Sequence, residues 1–175
     1  DRHVITKPAF DEIWTGDGGP CVVALDFHPE KAHVACLMGC DRNDNLYYIK
    51  EYSSREEPKI FARSLMSWYS GFRLIDIVCD CLGQTALTGG DGNKSFIQVL
   101  REEGVPVRPT SFADKEEDSW IARIQNNLYC PPLPGVPKLR VVEGNRGVIG
   151  DVESVQWLKV KHEDLFKPKL DMRHK

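Results

Sequence analysis

No apolar run in this sequence approaches the roughly 18 residues of a membrane span, and no charged-then-apolar leader opens it. The expectation is therefore an unsecreted protein with no membrane partner. An excess of positive charge is also missing. Its 23 Lys and Arg stand against 26 Asp and Glu, giving a formal charge of −3 and a sequence pI near 6.0, so bulk charge alone would not hold it to a polyanion. Paired CxxC spacings are absent too. The six cysteines lie at 21, 36, 40, 79, 81 and 130, and neither Cys36-x3-Cys40 nor Cys79-x-Cys81 has good zinc-site spacing. Most sit inside apolar runs (CVVAL, HVACLMGC, IDIVCDC), where cysteine acts as a small buried hydrophobe, and this suggests reduced thiols in a cytosolic protein. Internal repeats and low-complexity blocks are lacking.

What is present is enough for one globular domain: 175 residues, 41% of them hydrophobic. A chain that opens on Asp1 rather than Met reads as a piece of a longer polypeptide. Residues 1–20 carry three Gly, two Pro and no sustained period, and are expected to form an arm or linker. Order is expected from Cys21 onward. CVVALDF (21–27) reads as a strand buried on both faces, with one carboxylate near its end. HVACLMGC (33–40) and NLYYIKEY (45–52) read as two more strands, joined by the polar cluster Asp41-Arg42-Asn43-Asp44 as a hairpin. From Glu56 the period turns helical through Phe61, Leu65, Trp68 and Phe72, with Ser53 or Ser54 as cap and Pro58 in the first turn.

LIDIVC (74–79) is expected to be a short buried strand ending at Asp80. A Gly-rich loop (89–93), a helix over about Lys94 to Glu103 and a short strand at 105–107 follow. Ile121, Ile124 and Leu128 suggest a third helix that stops before CPPLPGVP (130–137). Leu139 to Val142 reads as a strand or extended link, and Val148, Val152 and Val155 mark a fourth helix from about Arg146. The order predicts an α/β fold: a mixed sheet, three antiparallel strands and then parallel ones, with helices on both faces.

Two acids stand out: Asp26 near the end of the first strand and Asp80 at the end of the fourth, each preceded by apolar residues. A carboxylate there is costly to bury unless a cation or donor meets it, and strand ends of an open sheet are where ligands gather. If those strands are neighbours, the two side chains converge; one such aspartate alone reads as a cap or a turn acceptor, and it is the pair at matching strand ends that weakens this reading. Phosphodiester hydrolysis needs such a pair, with two divalent metals roughly 3.5–4 Å apart, and carboxylates suit hard Mg²⁺ or Mn²⁺. His28 is either a donor or acid beside that site or, more plainly, a turn histidine before Pro29. Asp91 and Lys94 flank the loop after Asp80, where they would reach metal or phosphate, or merely decorate a surface. GGDGNKS (89–95) superficially suggests a nucleotide-binding loop, but Asn93 stands where the glycine before Lys94 is required. Basic residues cluster at Lys138, Arg140, Arg146 and again from Lys159 through Lys169 to Lys175, either as phosphate contacts or as solvated surface.

The stretch ALDFHPEKAHVACLMGCDRNDNLYYIKEY, then LIDIVCDCLGQTALTGGDGNKSFIQVLREEGVPVRP, then RIQNNLYC, KLRVV and GVIGDVESVQWLK resemble, in that order, the nuclease domain of a tailed-bacteriophage large terminase. The resemblance covers about residues 21–175. It implies an RNase H-like fold and a metal-dependent endonuclease that cuts double-stranded viral DNA during genome packaging. It further implies that Asp26 and Asp80 bind two Mg²⁺ or Mn²⁺ ions. A third acid is implied after the last strand: Asp171, or a residue past Lys175, with Asp151 a lesser candidate. Lys94, Arg140, Arg146 and Lys169 would then meet DNA phosphates. The implied partners are an ATPase domain upstream in the same polypeptide, the small terminase subunit and the portal protein, in the host cytoplasm. Two alternatives stay open: another RNase H-like nuclease such as a junction resolvase, or a non-catalytic docking domain of a packaging motor.

Overall fold

The computed structural model describes residues 3–14, 18–28, 30–84, 94–110 and 135–149. Residues 1–144 form one unit and 145–175 a second, of which 145–149 are described, with a helical turn at 146–149. In chain order the first unit contains β1 (Val4–Ile5), α1 (Lys7–Ile13), β2 (Cys21–Asp26), β3 (His33–Cys40) and β4 (Leu46–Ser54). Next come α2 (Pro58–Trp68), β5 (Leu74–Cys79), α3 (Phe96–Glu102), β6 (Val107–Pro109) and β7 (Leu139–Val142). The seven strands make one sheet in the order β1-β7-β4-β3-β2-β5-β6. As expected, β2, β3 and β4 are antiparallel, while β5 joins β2, β6 joins β5 and β7 joins β4 in parallel.

Alternation along the strands sorts side chains by face. Cys21, Val23 and Leu25 are buried, whereas Val22 and Ala24 are half-buried and Asp26 is exposed. β4 breaks this rule in the middle. Leu37 pairs with Lys50 and Met38 with Tyr48, so Ile49 is an extra residue, a β-bulge that shifts the register. Tyr47 before the bulge and Tyr52 after it thus share the face of Leu37 and Ala35. α1, α2 and α3 pack on that face. Phe61 and Leu65 of α2 and Phe96 and Leu100 of α3 are fully buried there. Phe96 lies 4.6 Å from Phe27 and 4.9 Å from His33, and His33 lies 5.3 Å from Phe61, ring centre to ring centre. The helix expected over 121–128 lies outside the described residues, as does most of the one expected from Arg146.

Residues 1–20 are not merely an arm. β1 pairs in parallel with β7, and Phe10 of α1 is buried, stacked 5.2 Å from Trp14 and tilted against Tyr47 at 5.5 Å. Thr6 caps α1 by accepting from the Ala9 N–H. Trp14 lies against Gly39, where a Cβ would meet its ring at 2.4 Å, so this contact requires glycine. Two smaller expectations also change. Ser53 and Ser54 belong to β4, and α2 starts at Pro58 after Glu57 without a side-chain cap. β6 starts at Val107 rather than Val105 because Val105 completes a Schellman cap on α3. Its N–H donates to the Leu100 carbonyl and that of Gly104 (φ 92°) to Arg101, while the Val105 and Leu100 side chains are both buried.

Capping of α3 and of the β3–β4 turn follows from short polar side chains. Ser95 and Gln98 form a reciprocal capping box. Asp41 accepts from the N–H groups of Asn43 and Asn45 and from the Tyr47 hydroxyl at 3.0 Å. Burial opposes ionisation of Asp41, but these hydrogen bonds outweigh it and hold its carboxyl below the ordinary range. Cys21, Cys36, Cys40 and Cys79 are free thiols. Among the described residues no helix is long and apolar enough to cross a membrane.

His33, 6% exposed inside the aromatic cluster, has a measurable consequence. Burial lowers its pKa from the ordinary 6.5, only partly offset by backbone hydrogen bonding to Glu56 and His28. A depressed folded pKa means that the unfolded chain takes up the proton first. The stabilisation is thus complete above pH 6.5 and declines as pH falls below it toward the folded value. Urea unfolding of wild type and His33→Phe over this acidic window should show a shallower pH dependence in the variant. Equal slopes would contradict this assignment.

Candidate active site

β2 and β5 are adjacent and parallel, with Leu25 level with Cys79. One step further, the Asp80 N–H donates to the Leu25 carbonyl at 3.0 Å, so the ladder continues and Asp26 and Asp80 stand next to each other. Neighbouring strands lie about 4.8 Å apart. Leu25 and Cys79 are buried toward the helices, and alternation therefore turns both aspartates to the opposite face. Phe27, stacked on Phe96, fixes the chain directly after Asp26. A cavity of about 370 Å³ opens on that face, its wall including Asp26, Asp80, Thr110, Val34, Cys36 and Tyr48.

The donors in this cavity are hard oxygens. Cys36 lines the cavity as well, and burial raises its thiol pKa, with a backbone hydrogen bond to Ala24 opposing the shift and the Glu51 charge adding to it. Two neighbouring carboxylates fit a cation such as Mg²⁺, which binds through one or two carboxylates and otherwise keeps water. Among the described residues no group of three or more His, Cys, Asp or Glu could hold a metal ion. Asp91, Asp151 and Asp171 lie outside the described residues.

The other residues singled out from sequence are dispersed. His28 Nδ1 accepts from the N–H groups of Glu30 (3.1 Å) and Lys31 (3.0 Å), and His28 does not line the cavity. This is the turn role. Lys94 precedes the cap of α3 and pairs with Glu102 at 2.8 Å. Arg140 is level with Tyr47 on the helix-bearing face, donates to the Tyr47 hydroxyl and lies 4.9 Å over its ring. It is thus on the far side of the sheet from Asp26. Arg146 is exposed in the turn at 146–149, and Lys169 lies outside the described residues.

Sequence reasoning passed over two residues on the carboxylate face. Arg108 is level with Val78 and pairs with Asp76 at 2.6 Å. Thr110 follows β6 and enters the cavity wall. Only the β5–β6 register reveals them, since one Arg and one Thr beside a proline carry no pattern of their own.

No protein-family model and no curated protein sequence matches the chain. Solved structures do. The chain is similar to the nuclease domain of the P22 large terminase, with a TM-score of 0.60 and 15% identity, over 81% of this chain and 71% of that one. It is also similar to the large terminase of a thermophilic bacteriophage, with a TM-score of 0.59 and 15% identity over 90% of this chain. The same thermophilic-phage terminase in complex with ATP-gamma-S gives a TM-score of 0.63 and 14% identity over 98% of this chain. The chain spans 35% and 39% of the length of those two thermophilic-phage structures. The fold expected from sequence is thus the fold found, that of the terminase nuclease domain.

Proposed function

We propose that this chain is a metal-dependent endonuclease, the nuclease part of a large terminase, which cuts double-stranded viral DNA during genome packaging. The observation that carries this reading is the adjacency of Asp26 and Asp80 at the ends of neighbouring parallel strands. A row of carboxylates over a cavity repels a phosphodiester unless a cation is shared between them. Asp26 and Asp80 are the residues proposed to hold Mg²⁺ or Mn²⁺, with Asp171 as the proposed third ligand. Bound divalent ions would supply an activated water and stabilisation of the leaving oxygen. The protein's own part is to hold two carboxylates in fixed register on a rigid sheet, with Phe27 and Phe96 packed behind them.

Lys94, Arg146 and Lys169 are the cations proposed to meet DNA phosphates. Arg140, engaged with Tyr47, is assigned to the fold instead. Because the chain spans little more than a third of the thermophilic-phage terminase, an ATPase domain upstream, a small terminase subunit and a portal partner are further parts of the proposal.

Supercoiled plasmid is the test substrate. The chain should nick and then linearise it in Mn²⁺ or Mg²⁺, and EDTA should abolish the reaction. Cleavage should also weaken steeply as salt rises, as phosphate contacts dictate. Activity confined to branched DNA or to RNA:DNA hybrids would move the assignment to another RNase H-like nuclease. Complete inactivity of the folded chain at saturating metal would leave the docking role.

A further inference from the structure

We infer that Thr110 is a substrate-binding residue whose hydroxyl donates to a phosphate oxygen of the strand lying over Asp26 and Asp80. This inference rests on the nuclease reading and extends it to a residue outside the acidic set. β5 and β6 run in parallel with Ile77, Val78 and Cys79 level with Val107, Arg108 and Pro109. The Thr110 N–H donates to the Cys79 carbonyl at 2.8 Å, which continues that ladder by one residue and brings Thr110 level with Asp80. Alternation assigns its face. Val107 is buried toward the helices, Arg108 turns outward to Asp76, and Thr110 follows Arg108 by two. Thr110, Asp80 and Asp26 thus form one row across three adjacent strand ends, and all three line the same cavity.

The chemistry of that position favours a neutral donor. Ionised carboxylates only accept hydrogen bonds, so they offer nothing to a phosphate oxygen, whereas a threonine hydroxyl supplies one donor. A lysine in the same place would pair with Asp80 and compete with a metal cation for it. Arg108, the nearest cation on this strand, is turned onto Asp76. A hydroxyl adds a phosphate contact without altering the charge of the metal-binding pair.

The full chain is compared as wild type, Thr110→Val and Thr110→Ser, with Thr110→Ala as a second deletion of the hydroxyl should valine disturb packing. Plasmid cleavage is measured in Mn²⁺, and Mn²⁺ affinity is measured separately by calorimetry without DNA. Loss of a hydrogen bond to a charged oxygen should lower kcat/KM roughly tenfold in Thr110→Val, chiefly through KM. Thr110→Ser should cleave close to wild type, and Mn²⁺ affinity should be the same in all three. Wild-type cleavage by Thr110→Val, or a fall in its Mn²⁺ affinity, overturns the phosphate contact while leaving the nuclease reading intact. A wild-type chain that neither binds Mn²⁺ nor cleaves overturns both.

Discussion

Replacing Asp26 with asparagine is expected to reduce plasmid cleavage by at least on the order of 10²–10³-fold, the range seen when one fixed electrostatic stabiliser is removed from a catalytic site. Asparagine keeps the size of the side chain and removes its charge, so a cation held between residues 26 and 80 loses one of two anionic ligands. Asp26 is exposed at the end of β2, and its pairing with Val34 is through the backbone. The thermal midpoint of the variant should therefore stay near that of wild type. Asp80→Asn should have a comparable effect, and the double variant should be little worse than either single one, because residues acting on one cation do not contribute additively. Unchanged trace activity in Asp26→Asn would identify a contaminant and favour the docking role.

The largest effect on stability is expected from Phe96→Ala. Phe96 is fully buried and touches Phe27, His33 and Phe61, joining α3 to α2 and to the end of β2. Deleting a buried phenyl ring costs about 3–5 kcal/mol through lost transfer energy and the cavity left behind. For a domain of this size that corresponds to a fall in melting temperature of roughly 10 °C. Thermal unfolding followed by circular dichroism reads it directly. Phe96→Leu should lose less, since most of the volume stays filled. A fall of only a degree or two in Phe96→Ala would mean that the aromatic cluster does not anchor the strand end behind Asp26.

The strand-end positions of Asp26 and Asp80 were legible in the sequence because each ends an apolar run; one such acid reads as a cap or turn acceptor, and only two at matching strand ends draw attention to a shared site. Their adjacency depended on strand order, which the three-strand meander followed by a helix and a strand restricts strongly. β1 and α1 were hidden by the glycines and prolines among residues 1–20, although Thr6 before Pro8, with Phe10 and Trp14 four apart, is a helix signal on a smaller scale. The bulge at Ile49 and the Schellman cap at Val105 both displace residues by backbone hydrogen bonding that side-chain periodicity does not record. Arg140 carried an ambiguous charge. Its stacking on Tyr47 depends on β7 joining β4 across more than ninety residues of chain, and nothing local encodes that pairing.

Diffraction from crystals soaked in Mn²⁺, recorded at an energy where manganese scatters anomalously, tests the site directly. The expected result is an anomalous peak between the side chains of Asp26 and Asp80, within bonding distance of a carboxylate oxygen from each. Saturating Mn²⁺ that leaves both carboxylates without an ion, or that collects on other residues, would contradict a metal-dependent nuclease centre at these two strand ends.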